Sequence, residues 1–418
     1  MRFLILTQYY PPEIGGAATR LRSLAENLLR LGHEVEVVTA RPNYPHGEFT
    51  DGDGPPFYRR ELRDRIVVHR VWVYPAVGGG LRRMLNYASF AVTSIPAFLR
   101  AKKPDYIFVE SPPLLACIPA YLAALVWRVP YIFCVSDLWP DAVLEGGFIR
   151  PGFAYRMLLL LESWAYRQAG HVTAVTQGIR EALITNKKVP GDKVLFLPNG
   201  ADVTHYQSRQ PDMRLKHQLG LDGKWIMLWA GTLGYAQGLE YVLHAAKILE
   251  SHPEIHFLFL GNGSARDELE RLKADLKLAN VTFKDPVPIN DLPPYYSIAG
   301  CGLASLRRMP VHEGARPSKI FPVLASALPL IFVGSGECAR LVESAQAGVV
   351  VPPGDPEALA GEILRLFFDP RLAAQYGQNG RSFVETQLDW SKLVEGWVKH
   401  LRRSEEPSAG ASSISATS

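Results

Sequence analysis

The sequence has few of the features that indicate a disulfide framework, a metal centre or a membrane-spanning helix. It contains four cysteines, with no Cys-x-x-Cys pair and no His/Cys spacing of the kind that holds zinc. No apolar run is as long as the roughly 18 residues that a spanning helix needs, and the apolar N-terminal run is too short for a signal peptide. We therefore expect a reduced, cytoplasmic protein whose cysteines pack in its cores. They are Cys117, Cys134, Cys301 and Cys338.

Blocks of basic residues are also missing, so the net charge of +4 gives no reason to expect a nucleic-acid partner. The charge is unevenly divided. Residues 1–200 carry 23 Lys and Arg against 17 Asp and Glu, whereas the remaining residues carry 22 against 24. Two segments of the first half, 82–103 and 148–168, are largely apolar and carry arginines or lysines near their ends. They predict either ordinary covered helices or helices that lie on an anionic membrane surface.

Apolar runs of strand length alternate with amphipathic segments along the chain. The first three are RFLILTQY, TRLRSLAENLLRLGHE and EVEVVTA, a strand–helix–strand order typical of parallel α/β sheets. The alternation predicts six or seven strands in the first half and a second α/β series after a turn-rich stretch, LPNGADVTHYQSRQP. We predict α/β domains at 1–203 and 204–388, a last helix at 389–404 and a disordered tail at 405–418.

Glycine-rich loops follow several of the predicted strands. Gly15 and Gly16 lie between the first strand and its helix, where they allow either a tight turn or the approach of backbone amides to a phosphate. In the second half, GTLGYAQGLE and GNGSARDEL also follow strands directly, at the edge where open parallel sheets bind ligands. None of these loops is a GxGxxG fingerprint, and no acidic residue ends EVEVVTA, so dinucleotide binding is disfavoured.

Charged side chains stand at the ends of other predicted strands. Asp137 follows PYIFCV and Glu110 ends PDYIFVE, and each is placed for a catalytic base or for sugar hydroxyls. Helix capping is the alternative for Asp137 and for Asp141. The stretch GARPSKIFPVLASALPLIF carries Arg316 and Lys319 and no acidic residue. Two unbalanced cations ahead of an apolar segment predict a site for an anion.

Taken together, these pieces resemble the GT-B glycosyltransferases of family 4, and within them the WbuB-like branch that builds bacterial surface polysaccharides. The resemblance implies two Rossmann-like domains that face a central cleft, with a last helix that crosses back to the first domain. It also implies metal-independent transfer without a cofactor, with a nucleotide-sugar donor mainly on the second domain and the acceptor on the first. The matching motifs run in order from about residue 3 to 365: YYPPEIGGAATRLRSLAENLLRLGHEVEVVTARPNYP, SDLWPD, PNGAD, GYAQGLE, GARPSKIFPVLASALPLIF and AGVVVPPGDPEALA.

The resemblance also implies roles for particular residues. Without a metal, cations and backbone amides must stabilise the leaving diphosphate. The implied diphosphate ligands are Arg316, Lys319, Gly15, Gly16, Gly231 and Thr232. We predict nucleoside contacts at Gly261, Gly263, Val287 and Glu337. From their positions after predicted strands and near the cationic segment, we predict Asp137, Glu110 and Glu313 as catalytic residues.

The chain departs from the family at two positions that usually carry glutamates. Pro322 stands where relatives have the ribose-binding glutamate, and Gly314 stands at the position of the first glutamate, with Glu313 adjacent. We therefore expect Glu337 or Glu313 to replace the missing ribose carboxylate.

Two cations that many members carry in the glycine-rich loop of the second domain are also missing. Thr232 and Gln237 occupy those positions, and neither is charged. We expect Arg316 and Lys319 to replace them, Arg316 as a planar fork and Lys319 as a point charge.

The sequence thus predicts a retaining glycosyltransferase that moves a sugar from a nucleotide diphosphate donor, UDP rather than GDP, to a lipid-linked or glycan acceptor. The expected pathways are O-antigen, capsule or exopolysaccharide synthesis, and the expected location is the inner face of the cell membrane. Two alternatives stay open. One is a UDP-sugar epimerase, and the other is an inactive GT-B protein that acts as a scaffold in a polysaccharide-assembly complex.

Overall fold

The chain forms two open α/β sheets, one in each half. A computed structural model describes residues 1–13, 15–43, 47–49, 57–76, 80–145 and 149–403. The predicted tail at 405–418 lies outside these residues. The predicted fold, two parallel-sheet Rossmann-like domains, is confirmed.

The first sheet is built around an almost wholly buried central strand. The described strands are β1 (Arg2–Leu6), β2 (Glu34–Ala40), β3 (Tyr58–Arg63), β4 (Ile66–Val71), β5 (Tyr106–Ser111), β6 (Tyr131–Val135), β7 (His171–Ala174) and β8 (Val194–Phe196). They lie in the order β3-β4-β2-β1-β5-β6-β7-β8, and all neighbours are parallel except β3 and β4. Because helices cover both faces of a parallel sheet, its inner strands are largely apolar. The helices are α1 (Gly16–Arg30), α2 (Gly80–Phe98), α3 (Cys117–Trp127), α4 (Asp141–Glu145), α5 (Phe153–Gln168) and α6 (Gln177–Thr185).

The antiparallel pair of β3 and β4 was not predicted, and it brings the first sheet to eight described strands instead of six or seven. Strand β3 has the sequence YRRELR, and its side chains are exposed or half-buried at the edge of the sheet. An edge strand needs no continuous apolar run, so hydrophobic periodicity does not reveal it.

The second sheet has six described strands in the order β11-β10-β9-β12-β13-β14, and all neighbours are parallel. They are β9 (Trp225–Ala230), β10 (Ile255–Leu260), β11 (Val281–Lys284), β12 (Cys301–Ser305), β13 (Leu330–Val333) and β14 (Gly348–Val351). The helices that follow the first domain are α7 (Met213–Gln218), α8 (Leu239–Ile248), α9 (Arg266–Asp275), α10 (Pro293–Ser297), α11 (Ile320–Ala325), α12 (Gly336–Ser344), α13 (Pro356–Phe368), α14 (Pro370–Gln387) and α15 (Trp390–Arg403).

The last helix, α15, packs on the first sheet although it follows the second domain in the chain. The indole of Trp397 lies 5.9 Å from the ring of Phe108 and 6.1 Å from that of Phe3, in the core of the first domain. Its Nε1 donates a hydrogen bond to Thr173 Oγ1 at 3.4 Å. The helix therefore ties the end of the chain to the first domain.

Truncating Trp397 is expected to destabilise the first domain. Trp397→Ala leaves a cavity in its core, so the free energy of unfolding should fall by about 3–5 kcal/mol. Phe368→Ala is the control: Phe368 is 68% exposed, so the change should be within about 0.5 kcal/mol. Urea unfolding of both variants measures the difference, and an effect confined to the second domain would contradict the placement of α15.

Candidate functional site

The loops at the carboxyl ends of the two sheets meet each other. A Cβ added to Gly178, which follows β7, would lie 2.6 Å from the Cα of Gly314, which follows β12. A Cβ added to Gly16, after β1, would lie 3.2 Å from Ser318 Oγ. A cleft between the domains is therefore bordered by the segment from 314 to 319, and the start of α1 faces it from the first domain.

Lys319 lies in this cleft, immediately before α11. Its Nζ is 4.3 Å from the centre of a Trp229 ring, and its Cε would be 3.0 Å from a Cβ on Gly231. No ion pair or hydrogen bond joins its ammonium group to the rest of the described chain. Burial lowers the pKa of Lys319 to about 8, because a desolvated ammonium group is costly. The indole face compensates only part of that cost.

Arg316 is paired with Glu337 at the same edge of the second sheet. Arg316 Nε lies 2.6 Å from Glu337 Oε1, a close ion pair whose angles are not those of a hydrogen bond. The two oxygens of Glu337 also accept hydrogen bonds from the backbone N–H groups of Gln177 at 3.0 Å and Gly178 at 2.7 Å. Glu337 is therefore committed to protein contacts across the domain boundary. Its role as the replacement for the ribose carboxylate stays a prediction.

Asp137 lies in the loop after β6, at the carboxyl edge of the first sheet. Solvent reaches its side chain, but protein atoms surround it, and this desolvation raises its pKa to about 6. The positive charge of Arg20 opposes the rise. The described residues offer its carboxylate neither an ion pair nor a hydrogen bond. A raised pKa is the direction in which catalytic carboxyl groups are shifted.

Glu110 was predicted to be catalytic, but the structure places it in the core. Its side chain has no exposed surface and forms an ion pair with Arg20, which also donates a hydrogen bond to Cys134 Sγ at 3.3 Å. The position at the end of β5 was read correctly, but the side chain points at α1 and not into the cleft. Glu110 cannot touch a substrate, so the prediction is corrected.

Two further carboxylates of the site are engaged by the protein. Glu313 is exposed beside the cleft and accepts a hydrogen bond from Ser335 Oγ at 2.7 Å, so its predicted catalytic role stays a prediction. Asp141 pairs with Lys187 at 2.7 Å and accepts a hydrogen bond from Tyr155. Its position at the start of α4 is structural.

The glycines predicted around the donor bring two loops of the second domain into contact. A Cβ on Gly261 would lie 1.9 Å from the carbonyl oxygen of Gly231, and one on Gly263 would lie 2.3 Å from that of Leu233. This close packing alone requires glycine at 261 and 263. Thr232 is exposed in the first of these loops, and Val287 lies half-buried after β11. Their predicted donor contacts stay predictions.

Two residues of the site were not predicted from the sequence. Trp229 is the ring beneath Lys319, and it was read only as part of an apolar strand. Arg307 lies beside the loop after β9, where its Nε donates to Tyr235 O at 2.6 Å and its Nη2 pairs with Glu240 at 2.7 Å. Arg307 follows β12 closely, and its position at a strand end was the available signal.

Within the described residues, no three His, Cys, Asp or Glu side chains are grouped so that they could hold a metal ion. The same part of the chain has no helix of the length and apolarity needed to cross a membrane.

Two sequence families match consecutive parts of the chain. The Glycosyl transferase 4-like domain matches residues 15–200, and Glycosyl transferases group 1 matches residues 213–383. The two matches correspond to the two sheets. The chain belongs to the GT-B glycosyltransferases of family 4. Its place in the WbuB-like branch of that family stays a prediction.

Three proteins that are similar to this glycosyltransferase each cover 96% of its chain. WcaI of Escherichia coli K12, a glycosyl transferase named for colanic acid biosynthesis, is 28% identical over 416 residues, which cover 96% of this chain and 100% of WcaI. Anabaena Alr3699/HepE in complex with UDP-glucose has a TM-score of 0.72 at 18% identity, covering 96% of this chain and 100% of HepE. Sucrose-phosphate synthase from Thermosynechococcus elongatus has a TM-score of 0.73 at 19% identity. The match covers 96% of this chain and 98% of the synthase. At these identities the two structures support the shared fold alone.

Replacing Glu110 by glutamine is expected to destabilise the first domain because it leaves the buried Arg20 without a charged partner. Breaking one side of a buried pair costs about 3–5 kcal/mol. Glu34→Gln is the control, since the Arg2–Glu34 pair is exposed and solvent screens it. Urea unfolding compares the two variants. Full stability combined with lost turnover would return Glu110 to the catalytic residues.

Proposed function

We propose that this glycosyltransferase is a retaining, metal-independent enzyme that transfers a sugar from a UDP-sugar to a lipid-linked or glycan acceptor in bacterial surface-polysaccharide synthesis. The proposed domains are 1–203 for the acceptor and 204–388 for the donor, with 389–404 as the returning helix. The UDP complex of a similar fold and the pathway named for WcaI support the donor and the pathway. Retention is carried over from the family.

One observation carries the proposal: a cation without an anionic partner lies at the donor edge of the second sheet. Lys319 is half-buried. Charges that are withdrawn from water without a partner are costly, and they concentrate at functional sites. A diphosphate beside Lys319 would supply the missing negative charge and raise the pKa of the lysine again. Gly231 lies against the side chain of Lys319, and Gly16 at the start of α1 lies near Ser318. We propose that the backbone at Gly231, Thr232, Gly15 and Gly16 also contacts the diphosphate.

Departure of the sugar from UDP makes the diphosphate more negative and the anomeric carbon more positive. Lys319 and Arg316 would stabilise the leaving diphosphate. Asp137, on the opposite domain, is the acidic residue that we propose for the sugar side. As a carboxylate it can stabilise positive charge or accept the proton of the acceptor hydroxyl, and its raised pKa places both forms near neutral pH.

The acceptor domain also carries an apolar, cationic surface that fits a lipid-linked acceptor. Helices α2, α3 and α5 pack side by side, with Phe98 against Trp127 at 5.8 Å and Tyr121 against Trp164 at 4.9 Å. Their described side chains include no exposed carboxylate, since their one acidic residue, Glu162, is 2% exposed. The exposed large apolar side chains on these helices and at Leu99 are Leu81, Leu85, Val92, Ile95, Leu99, Ile118, Leu122, Leu125, Val126, Phe153, Met157 and Leu160.

This three-helix surface has the composition of an interfacial membrane contact, because it combines exposed apolar side chains with arginines as its only exposed charged residues among those described. Exposed arginines at Arg82, Arg156 and Arg167 supply the positive charge. We propose that it rests on the anionic inner face of the cell membrane, so that a lipid-linked acceptor can reach the cleft while its tail stays in the bilayer.

Donor affinity is expected to depend on the charge of Lys319. The ammonium form binds diphosphate, so affinity for UDP-glucose should be constant from pH 6 to 7.5 and weaken about tenfold per pH unit above pH 8. UDP-glucose is a suitable probe because its diphosphate does not titrate in this range. Lys319→Met should weaken binding at pH 7 by about 10- to 100-fold, the loss of one charge-assisted contact, and should abolish the pH dependence.

Calorimetric titration of UDP-glucose measures both effects. The control is Lys247→Met, which removes an exposed lysine of the same domain that pairs with Glu250. Unchanged affinity in Lys319→Met would defeat the proposed diphosphate site. Binding without any transfer or donor hydrolysis would favour the scaffold alternative over the enzyme.

Membrane binding is expected to depend on the three-helix surface. The double change Val126→Ser and Phe153→Ser removes two side chains that are 76% and 80% exposed. It should weaken binding to vesicles containing phosphatidylglycerol by about tenfold or more, since each buried side chain of this size contributes about 1.5–3 kcal/mol. Cosedimentation measures the effect, with Phe368→Ser in the second domain as the matched control. Equal losses in the control and the double variant would show that this surface is not the membrane contact.

A further inference from the structure

The carboxylate of Glu337 joins the two domains at one point of the cleft. Glu337 lies in the first turn of α12, in the second domain, and it is 6% exposed. Its oxygens accept the N–H groups of Gln177 and Gly178, which open α6 of the first domain. Gly178 also lies against Gly314 so closely that no side chain fits between them. This contact exists only while the domains are together.

Helix α6 is suited to receive a carboxylate from outside. Its own cap, Thr176, accepts a hydrogen bond from the N–H of Ile179 at 3.1 Å, which leaves the N–H groups of Gln177 and Gly178 for another acceptor. The first N–H groups of a helix have no partner within the helix, and the helix dipole favours negative charge at this end. Glu337 satisfies both groups with charge-assisted hydrogen bonds.

The same carboxylate holds Arg316. Both side chains are largely buried, at 13% and 7% exposure, and Arg316 Nε is 2.6 Å from Glu337 Oε1. The backbone reinforces the arrangement, because the N–H of Glu337 donates to the carbonyl oxygen of Glu313 at 2.7 Å. The segment that carries Arg316 is therefore fixed to Glu337, and Glu337 is fixed to α6.

We infer that Glu337 is a positioning residue that couples closure of the two domains to the placement of Arg316 at the donor diphosphate. When the domains separate, Glu337 loses the amides of α6, its carboxylate is hydrated, and Arg316 loses its fixed partner. When they close, α6 orients Glu337 and Glu337 orients Arg316. This inference rests on the proposed function, in which Arg316 binds the diphosphate.

A purely electrostatic role for Glu337 predicts the opposite result. A carboxylate beside a diphosphate site repels the ligand, so removing its charge would strengthen donor binding. A purely structural role predicts a lower melting temperature with no change in turnover. The sign of the change in affinity therefore separates these roles from positioning.

The test uses Glu337→Gln, which keeps the volume and one acceptor oxygen but removes the charge. It should increase the radius of gyration of the free enzyme in small-angle scattering, weaken UDP-glucose binding by about tenfold or more, and lower kcat for donor hydrolysis or transfer. Glu337→Asp, which keeps the charge on a shorter side chain, should recover part of each loss. Glu343→Gln on the same helix is the matched control, since Glu343 is exposed and makes no contact with the other domain among the described residues.

A double-mutant cycle with Arg316→Met shows whether Glu337 acts through Arg316. Once Arg316 is removed, Glu337→Gln should cause no further loss of UDP-glucose affinity. Additive losses, stronger binding in Glu337→Gln or an unchanged radius of gyration would each overturn the inference. Failure of the proposed function is recognised separately, because a wild-type chain that binds no UDP-sugar would still show the scattering difference between Glu337→Gln and Glu343→Gln.

Discussion

Lys319 brings an ammonium group into the cleft, and the described residues provide no carboxylate beside it. Three other buried or half-buried cations do have such a partner: Arg20 pairs with Glu110, Arg70 with Glu61, and Lys187 with Asp141 and Glu162. A buried ion pair is roughly neutral in free energy, whereas an uncompensated buried charge is strongly destabilising. The pKa of Lys319 is lowered because desolvation disfavours its charged form. The cleft therefore keeps an unbalanced positive charge at one place, which an anionic ligand can neutralise.

The position of the Lys319 ammonium group depends on close packing between two backbone loops of the second domain. The loops after β9 and β10 touch at Gly231 and Gly261, where even a methyl group would collide with a carbonyl oxygen. The aliphatic part of the Lys319 side chain lies against Gly231, and its ammonium group lies over the Trp229 ring. Glycine thus serves two purposes here, since it lets the loops meet and it leaves room for the lysine. Preorganised groups of this kind need no rearrangement when charge develops on a ligand.

The sequence predicted the elements of the fold better than the partners of its charged residues. Continuous apolar runs identify strands buried on both faces, and every strand of the second sheet was found in this way. The β3–β4 pair was missed because the edge strand Tyr58–Arg63 is polar. Glu110 was correctly placed at a strand end, but its pairing with Arg20 spans 90 positions in the chain. The contacts of Glu337 with α6 span 159 and 160 positions. No local sequence pattern encodes contacts between residues this far apart in the chain. The sequence therefore could not predict in which direction each of these side chains points.

Among the predicted site residues, two groups of opposite charge have neither an ion pair nor a side-chain hydrogen bond within the described chain. Asp137 belongs to the first domain and Lys319 to the second, and desolvation disfavours the charged form of each. The pKa of the acid is raised and that of the base is lowered, so each group would gain stability from a ligand charge of the opposite sign. Glycosyl transfer from a nucleoside diphosphate creates two such charges, positive on the sugar and negative on the leaving diphosphate. In the proposed reaction, a ligand with its sugar near Asp137 and its diphosphate near Lys319 would satisfy both groups, and it would do so most fully at the transition state, where catalysis requires the strongest binding.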